Sequence, residues 1–260
     1  DGSGIPFQAG EFPAVRALQV FRPENDPVGT SGGLLGSSYA LHQFNAGGSG
    51  ELLDDGQGFS WSLDGDGRLQ VAYDDGETAV FTRLLQDGRK GDGVIAEFSL
   101  PDGNAKFQYA LSSVRDGSLV FDAGTLVQPW RSGFDISQTA YDFAHFDGFY
   151  IVLDEGGTGT QVSISEFGTT VSPLAWDIED GAMVARRYWS NAGWQPGCEV
   201  GVDGCYVAQE RRWVPVSRDG NRIYLHEELW MDPDGAGPVV ELELQSQRAN
   251  FYDIEAPPLP

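Results

Sequence analysis

Basic residues are scarce in this chain of 260 residues: 16 Lys plus Arg stand against 39 Asp plus Glu, a formal charge of −23. Lys90 and Lys106 are the only lysines. Such a surface repels nucleic acid and anionic lipid, so anionic partners are excluded, while divalent cations and neutral ligands remain open. It suits a salty medium, where screening weakens self-repulsion, and a genome biased towards Arg would leave the same mark. Apolar runs are short, and none approaches the ~20 residues of a transmembrane helix. The hydrophobic share of 40% and aromatic share of 12% still exceed what a disordered tail carries, so the chain can bury a core.

Cysteine is nearly absent. Cys198 and Cys205 lie in Cys-Glu-Val-Gly-Val-Asp-Gly-Cys. Zinc ligation asks for two further Cys or His nearby, and a redox CxxC is tighter. A local disulfide is the expected arrangement, with an oxidising, extracytoplasmic location as its consequence; two buried thiols on neighbouring strands are the alternative. The opening Asp1-Gly2-Ser3-Gly4 carries neither Met nor a signal-like segment, which suggests a processed product or an excised domain. Residues 255–260 read as a stiff proline-rich tail.

Enzyme signatures are lacking too. His42, His145 and His226 are the only imidazoles, and strand histidines are commonly structural. There is no His-Glu-x-x-His, and the glycine-rich 45–50 segment lacks the Lys-Ser/Thr ending of a phosphate loop. Carboxylate pairs suited to glycoside hydrolysis abound, but nothing selects one pair. No catalytic residue is assigned.

What is present is alternation broken by turns. Residues 68–73, 222–226 and 240–244 alternate polar and apolar, as half-buried antiparallel strands do. Asp-Gly recurs between such runs, among others at Asp66-Gly67, Asp102-Gly103, Asp180-Gly181 and Asp219-Gly220. Asp-Gly tolerates the positive φ of tight hairpins. The expected fold class is all-β, an antiparallel meander with few and short helices.

The meander repeats. Gly88 and Gly103 bracket one hairpin, and Gly220 and Gly235 bracket another of the same length. Tyr39 to Gly50, then Trp61, Gly67 and Leu69, finds an echo in Tyr150 to Gly159, then Trp176, Gly181 and Met183. This predicts two tandem small barrels or sandwiches related by internal duplication. Residues 36–124 form the first β domain and 143–254 the second. An extended segment, 1–35, precedes them, and 125–142 connects them. The repeated pattern of Tyr and Phe, Gly-x-Gly, then Trp, Asp-Gly and Leu resembles lipocalin-like β-barrel domains of bacterial secreted proteins. Gly58-Phe59-Ser60-Trp61 departs by one residue from the Gly-x-Trp of lipocalins. The resemblance implies ligand or partner binding.

The copies differ at one place. Leu69 to Asp87 is matched by the much longer Met183 to Asp219, and the surplus forms an aromatic insertion at 187–206. It holds Tyr188, Trp189, Trp194 and Tyr206 with the two cysteines. Rigid aromatic loops stack on sugars and anchor interfaces, or simply cap a barrel end. Arg186-Arg187 and Arg211-Arg212 are the only Arg-Arg pairs. Arg187 and Arg211 are therefore read as ligand or partner contacts, a guanidinium cluster able to pair with a carboxylate; neutralising local Asp and Glu is the plainer role.

Calcium is the cofactor left open. Asp232, Asp234 and Glu243 match part of a hard-cation loop, and Asp64-Gly65-Asp66-Gly67 offers a shorter version; both also read as plain hairpin turns. The functional expectation is a non-enzymatic extracytoplasmic β module for adhesion or association with another envelope or extracellular protein. The alternative is a carrier of a small apolar, aromatic or neutral ligand inside a barrel, with a sugar-active enzyme third.

Overall fold

A computed structural model describes residues 4–21, 37–86, 90–117, 119–133, 148–165, 168–190, 198, 204–231 and 242–258. The chain forms two closed antiparallel barrels of eight strands each, in tandem. The first comprises β1 (Ala14–Phe21), β2 (Ser37–Phe44), β3 (Ser49–Leu52), β4 (Gly58–Leu63), β5 (Leu69–Tyr73), β6 (Thr78–Gln86), β7 (Gly91–Ser99) and β8 (Ala105–Val114). The second comprises β9 (Pro129–Ser132), β10 (Gly148–Leu153), β11 (Thr158–Ser165), β12 (Gly168–Glu179), β13 (Ala182–Ser190), β14 (Cys205–Asp219), β15 (Arg222–Met231) and β16 (Glu243–Ile254). Each barrel closes by pairing its first strand with its last, β1 with β8 and β9 with β16. Closure leaves no sheet edge. Among the described residues no helix is long and apolar enough to cross a membrane.

The barrel form answers the open choice between barrel and sandwich. Two strands lie in segments expected outside the β domains. β1 falls within the segment 1–35, and β9 falls within the connector 125–142. Each supplies the closing strand of its barrel. β1 hides because it is covered on both faces: Arg16, Ala17, Leu18, Gln19 and Val20 are all buried, so no polar–apolar alternation marks it.

Asp-Gly sets the turns. Asp180 (φ 51°) and Gly181 (φ 78°) both take positive φ and join β12 to β13 in a tight hairpin. Gly67, Gly76 and Gly103 do the same work between β4 and β5, β5 and β6, and β7 and β8.

The two barrels match in detail. Leu69 pairs with Phe81 in the first, Met183 with Trp213 in the second. Val71 with Ala79 corresponds to Ala185 with Arg211. The Trp61 indole Nε1 donates to the carbonyls of Asn45 and Ser49, both at 3.1 Å. Trp176 Nε1 donates likewise to Asp154 (3.1 Å) and Thr158 (2.9 Å). In both, the Trp amide donates to a glycine carbonyl, Gly48 at 2.7 Å and Gly157 at 2.8 Å. The tyrosines of the repeat are the exception. Tyr39 lies five residues before the last residue of β2, and Tyr150 lies three before the last residue of β10.

The interiors are filled by different means. In the first barrel, His42, Phe44, Phe59, Trp61 and Tyr73 form a chain of ring contacts with centroids 5.2–6.0 Å apart. Its end beside the β4–β5 turn is sealed by residues 5–12. The Phe7 amide donates to the Gly67 carbonyl at 2.8 Å, and Phe12 packs on Trp61 at 4.6 Å. In the second barrel, Trp130, Ile151, Leu153, Leu174, Trp176, Met183, Trp213, Ile223, Leu225 and Tyr252 build one apolar cluster. The short helix α1 (Ala123–Leu126), capped by Asp122, adds Leu126 to it, and Trp130 Nε1 donates to the Leu126 carbonyl at 2.9 Å.

Candidate functional site

Alternation decides which side chains enter the second barrel. Met183 and Ala185 belong to its apolar cluster, so Arg187, two residues on, faces inward as well. Gln209 and Arg211 precede Trp213 on the same face of β14, and Gln209 lies directly opposite Arg187. Ser172 precedes Leu174 and Trp176 on β12, and Glu227 follows Ile223 and Leu225 on β15. The interior is therefore apolar at the end sealed by α1 and polar at the other end, where β13 runs into residues 191–204.

Glu227 is the centre of this polar half. It is fully buried, and its Oε2 accepts hydrogen bonds from Trp213 Nε1 (2.8 Å) and the Tyr252 hydroxyl (2.6 Å). Its Oε1 lies 2.7 Å from Arg211 Nη1. That contact is an ion pair, and among the described residues Arg211 Nε has no hydrogen-bond partner. The Arg211 guanidinium also sits 5.0 Å from the centre of the Phe149 ring, within cation–π range.

Arg187 has neutral partners. Its Nη1 donates to Gln209 Oε1 (2.7 Å) and its Nη2 to Ser172 Oγ (2.9 Å), while its buried Nε has no partner among the described residues. Burial, reinforced by the like charge of Arg211, pulls the guanidinium down to about 10. It remains a cation at neutral pH.

The flanking basic residue behaves otherwise. Arg186 points out of the barrel, bridging Glu179 at 2.7 Å and Glu210 at 2.8 Å, so it takes the plainer role of neutralising local acids. The bond to Glu179, with burial opposing and Glu210 assisting, holds its pKa above the ordinary value.

The other sequence candidates are placed as follows. Tyr188 and Tyr206 are half-buried on the hairpin arms beyond a bulge at Arg187/Tyr188; the register sets Tyr188 opposite Val207 and Tyr206 opposite Trp189. Only the backbone of Trp189 is described, and Trp194 lies outside the described residues. Cys198 and Cys205 form a disulfide, with Cα atoms 5.7 Å apart. Asp232 and Asp234 lie outside the described residues, and Glu243 is described only as the first backbone position of β16. The Asp64 carboxylate is occupied by the amides of Asp66 (2.9 Å) and Arg68 (3.0 Å) and by Arg68 Nε (2.7 Å), the bonding of a hairpin turn. His42 is buried in the first barrel, with Nε2 at 2.8 Å from the Tyr73 hydroxyl and Nδ1 at 3.1 Å from the Ala40 carbonyl.

Sequence reading missed Glu227, Gln209 and Ser172. The available signal was the face shared by Ile223, Leu225 and Glu227, which places a carboxylate among apolar neighbours.

No protein-family model matches the chain, and no curated protein matches it in sequence.

Proposed function

We propose that the chain is a non-enzymatic extracytoplasmic β module, duplicated from one lipocalin-like barrel, whose second barrel carries a small ligand at its polar end. The observation that carries this reading is the contrast between corresponding positions. Tyr73 lies four residues after Leu69, as Arg187 lies four after Met183, and Ala79 holds the register position of Arg211. The first barrel fills this end with rings and a methyl group. The second places two guanidinium groups, a carboxylate, one amide and a hydroxyl there, groups that an apolar core has no need of. A barrel of eight strands has room for one small ligand when side chains do not fill it.

Duplication is supported by the matching registers and by the paired bonding of Trp61 and Trp176. An extracytoplasmic site of action is supported by the Cys198–Cys205 bridge, since disulfides persist in oxidising compartments. Association with another envelope protein was the first expectation from sequence. It rests on the disulfide, the lack of a catalytic constellation, the duplication and the proline-rich ends, none of which accounts for the polar groups inside the second barrel, so the carrier reading has the better support.

Mass spectrometry under non-denaturing conditions tests the reading on protein isolated from its source. A small-molecule adduct, released on denaturation, is the expected result. A bare chain that co-isolates with a second polypeptide would overturn the carrier reading in favour of association.

A further inference from the structure

The arginines inside the two barrels can be counted against their carboxylates. In the first barrel, Arg16 and Arg83 share two. Asp92 lies 3.1 Å from Arg16 Nη1 and 3.3 Å from Arg83 Nε, and Glu11 bonds both guanidiniums, at 2.7 Å from Arg16 Nη2. Two cations face two anions. Glu11 does not belong to any strand of that barrel; it enters on a 3₁₀ turn, Ala9–Glu11, of the segment that seals the end. Thus one of the two anions is delivered from outside the barrel wall.

In the second barrel Arg187 and Arg211 face a single carboxylate, Glu227, among the described residues. Among the described residues Arg187 has only neutral partners, in a chain where acids outnumber bases by 39 to 16. An uncompensated cation inside a protein is costly to keep, and it persists where something else supplies the countercharge. Donors are also left over: among the described residues, Arg187 Nε and Arg211 Nε have no hydrogen-bond partner. Arg187 is itself only partly covered, so the site reaches solvent at the barrel end.

We propose that this end of the second barrel binds the carboxylate group of a small organic acid, with Arg187 as its ion-pair partner and Arg211 as a second donor. The inference rests on the carrier reading and narrows it, replacing the neutral ligand expected from overall charge with an anionic one. The net charge of −23 does not forbid this. Repulsion from distant surface carboxylates is screened within about 8 Å at physiological ionic strength, whereas a bound carboxylate lies against the guanidinium itself. Glu227, braced by Trp213 and Tyr252, holds Arg211 in place, and Gln209 and Ser172 hold Arg187. Ala185, Leu174, Trp213 and Tyr252 belong to the apolar cluster that borders the site.

The test is calorimetric titration of the intact protein with octanoate and benzoate, each beside its neutral amide, octanamide and benzamide. The expected result is that at least one acid binds at least about tenfold more tightly than its amide, the margin of one charge-assisted pair. In Arg187→Gln, checked for an unchanged unfolding transition, that margin disappears, and Arg187→Lys restores part of it. Amides that bind as tightly as their acids would overturn the anion inference while leaving the carrier reading standing. Failure of every acid and every amide to bind would overturn both. The comparison of acid with amide on unaltered protein needs no variant to fold.

Discussion

Arg211 and Glu227 face each other inside the second barrel, Nη1 to Oε1 at 2.7 Å, and Glu227 Oε2 also accepts from Trp213 and Tyr252. The pair is therefore a brace for one guanidinium, and the second guanidinium, Arg187, stands outside it. Removing Glu227 and removing Arg187 should have unequal consequences.

Glu227→Gln leaves Arg211 buried without its anion. A loss of roughly 3–5 kcal/mol in unfolding free energy is expected, the usual result of breaking a buried pair from one side. Arg187→Met removes a cation that has no anion. Its loss of two hydrogen bonds to neutral groups is offset by relief of desolvation, so stability should stay within about 1 kcal/mol of the parent. Denaturant titration of both variants checks this, and a loss of more than about 2 kcal/mol for Arg187→Met would contradict the assignment of an uncompensated charge.

Gly48 and Gly157 should respond alike. Each has positive φ (86° and 80°), and a Cβ at either would lie within 2.9 Å of a tryptophan carbonyl, that of Trp61 or Trp176. Gly48→Ala and Gly157→Ala should each destabilise their own barrel by more than about 1 kcal/mol, since backbone strain adds to the clash. Hydrogen exchange followed barrel by barrel would separate the effects. A harmless alanine at one site and a damaging one at the other would argue against equivalent turns.

Reduction of Cys198–Cys205 should lower stability by about 2.5 kcal/mol on the chain-entropy estimate for so short a loop. Alkylation without reductant should leave both thiols unlabelled, as the bridge between them requires. Labelling of both in air-oxidised protein would remove the main argument for an extracytoplasmic location.

Acid should loosen the segment that seals the first barrel. Burial pushes the Glu11 carboxyl up, but hydrogen bonds from Arg83 and the Gln8 amide, with the charges of Arg83 and Arg16, hold it below its ordinary 4.5. Its contribution is thus fully present above about pH 4.5 and is lost as pH falls through the lower folded value. Asp92 has the opposite sign. Burial outweighs Arg83 and Arg16 and raises its pKa above 3.8, so the folded state favours its proton and its term does not weaken in acid. Glu11→Gln should cost roughly 1.5–3 kcal/mol near neutral pH, the range for hydrogen bonds to charged groups, and progressively less below pH 4.5. A difference between variant and parent that is independent of pH would contradict the role of Glu11.

Much of this architecture is written in local pattern. Asp180-Gly181 or Asp102-Gly103 names a hairpin by itself, because few dipeptides accept the backbone of such a turn. β1 is not legible in this way, since Arg16 and Gln19 are polar residues buried by long-range packing that no short window contains. β9 has four residues and begins with Pro129, too short to show a period. The candidate site was half legible. The basic pairs stood out in so acidic a chain, but only register tells Arg186, opposite Glu210, from Arg187, opposite Gln209. Glu227 is invisible in His226-Glu227-Glu228 until the strand is known to turn it inward beside Trp213 and Tyr252.

Hydrogen exchange of the intact chain tests the central claim most directly, comparing the protein alone with the protein in the low-molecular-weight fraction of its native medium. The account predicts slowed exchange in β12, β13 and β14 around Ser172, Arg187, Gln209 and Arg211, with the first barrel unchanged. Protection confined to the first barrel, or arising only with the macromolecular fraction of the same medium, would contradict it.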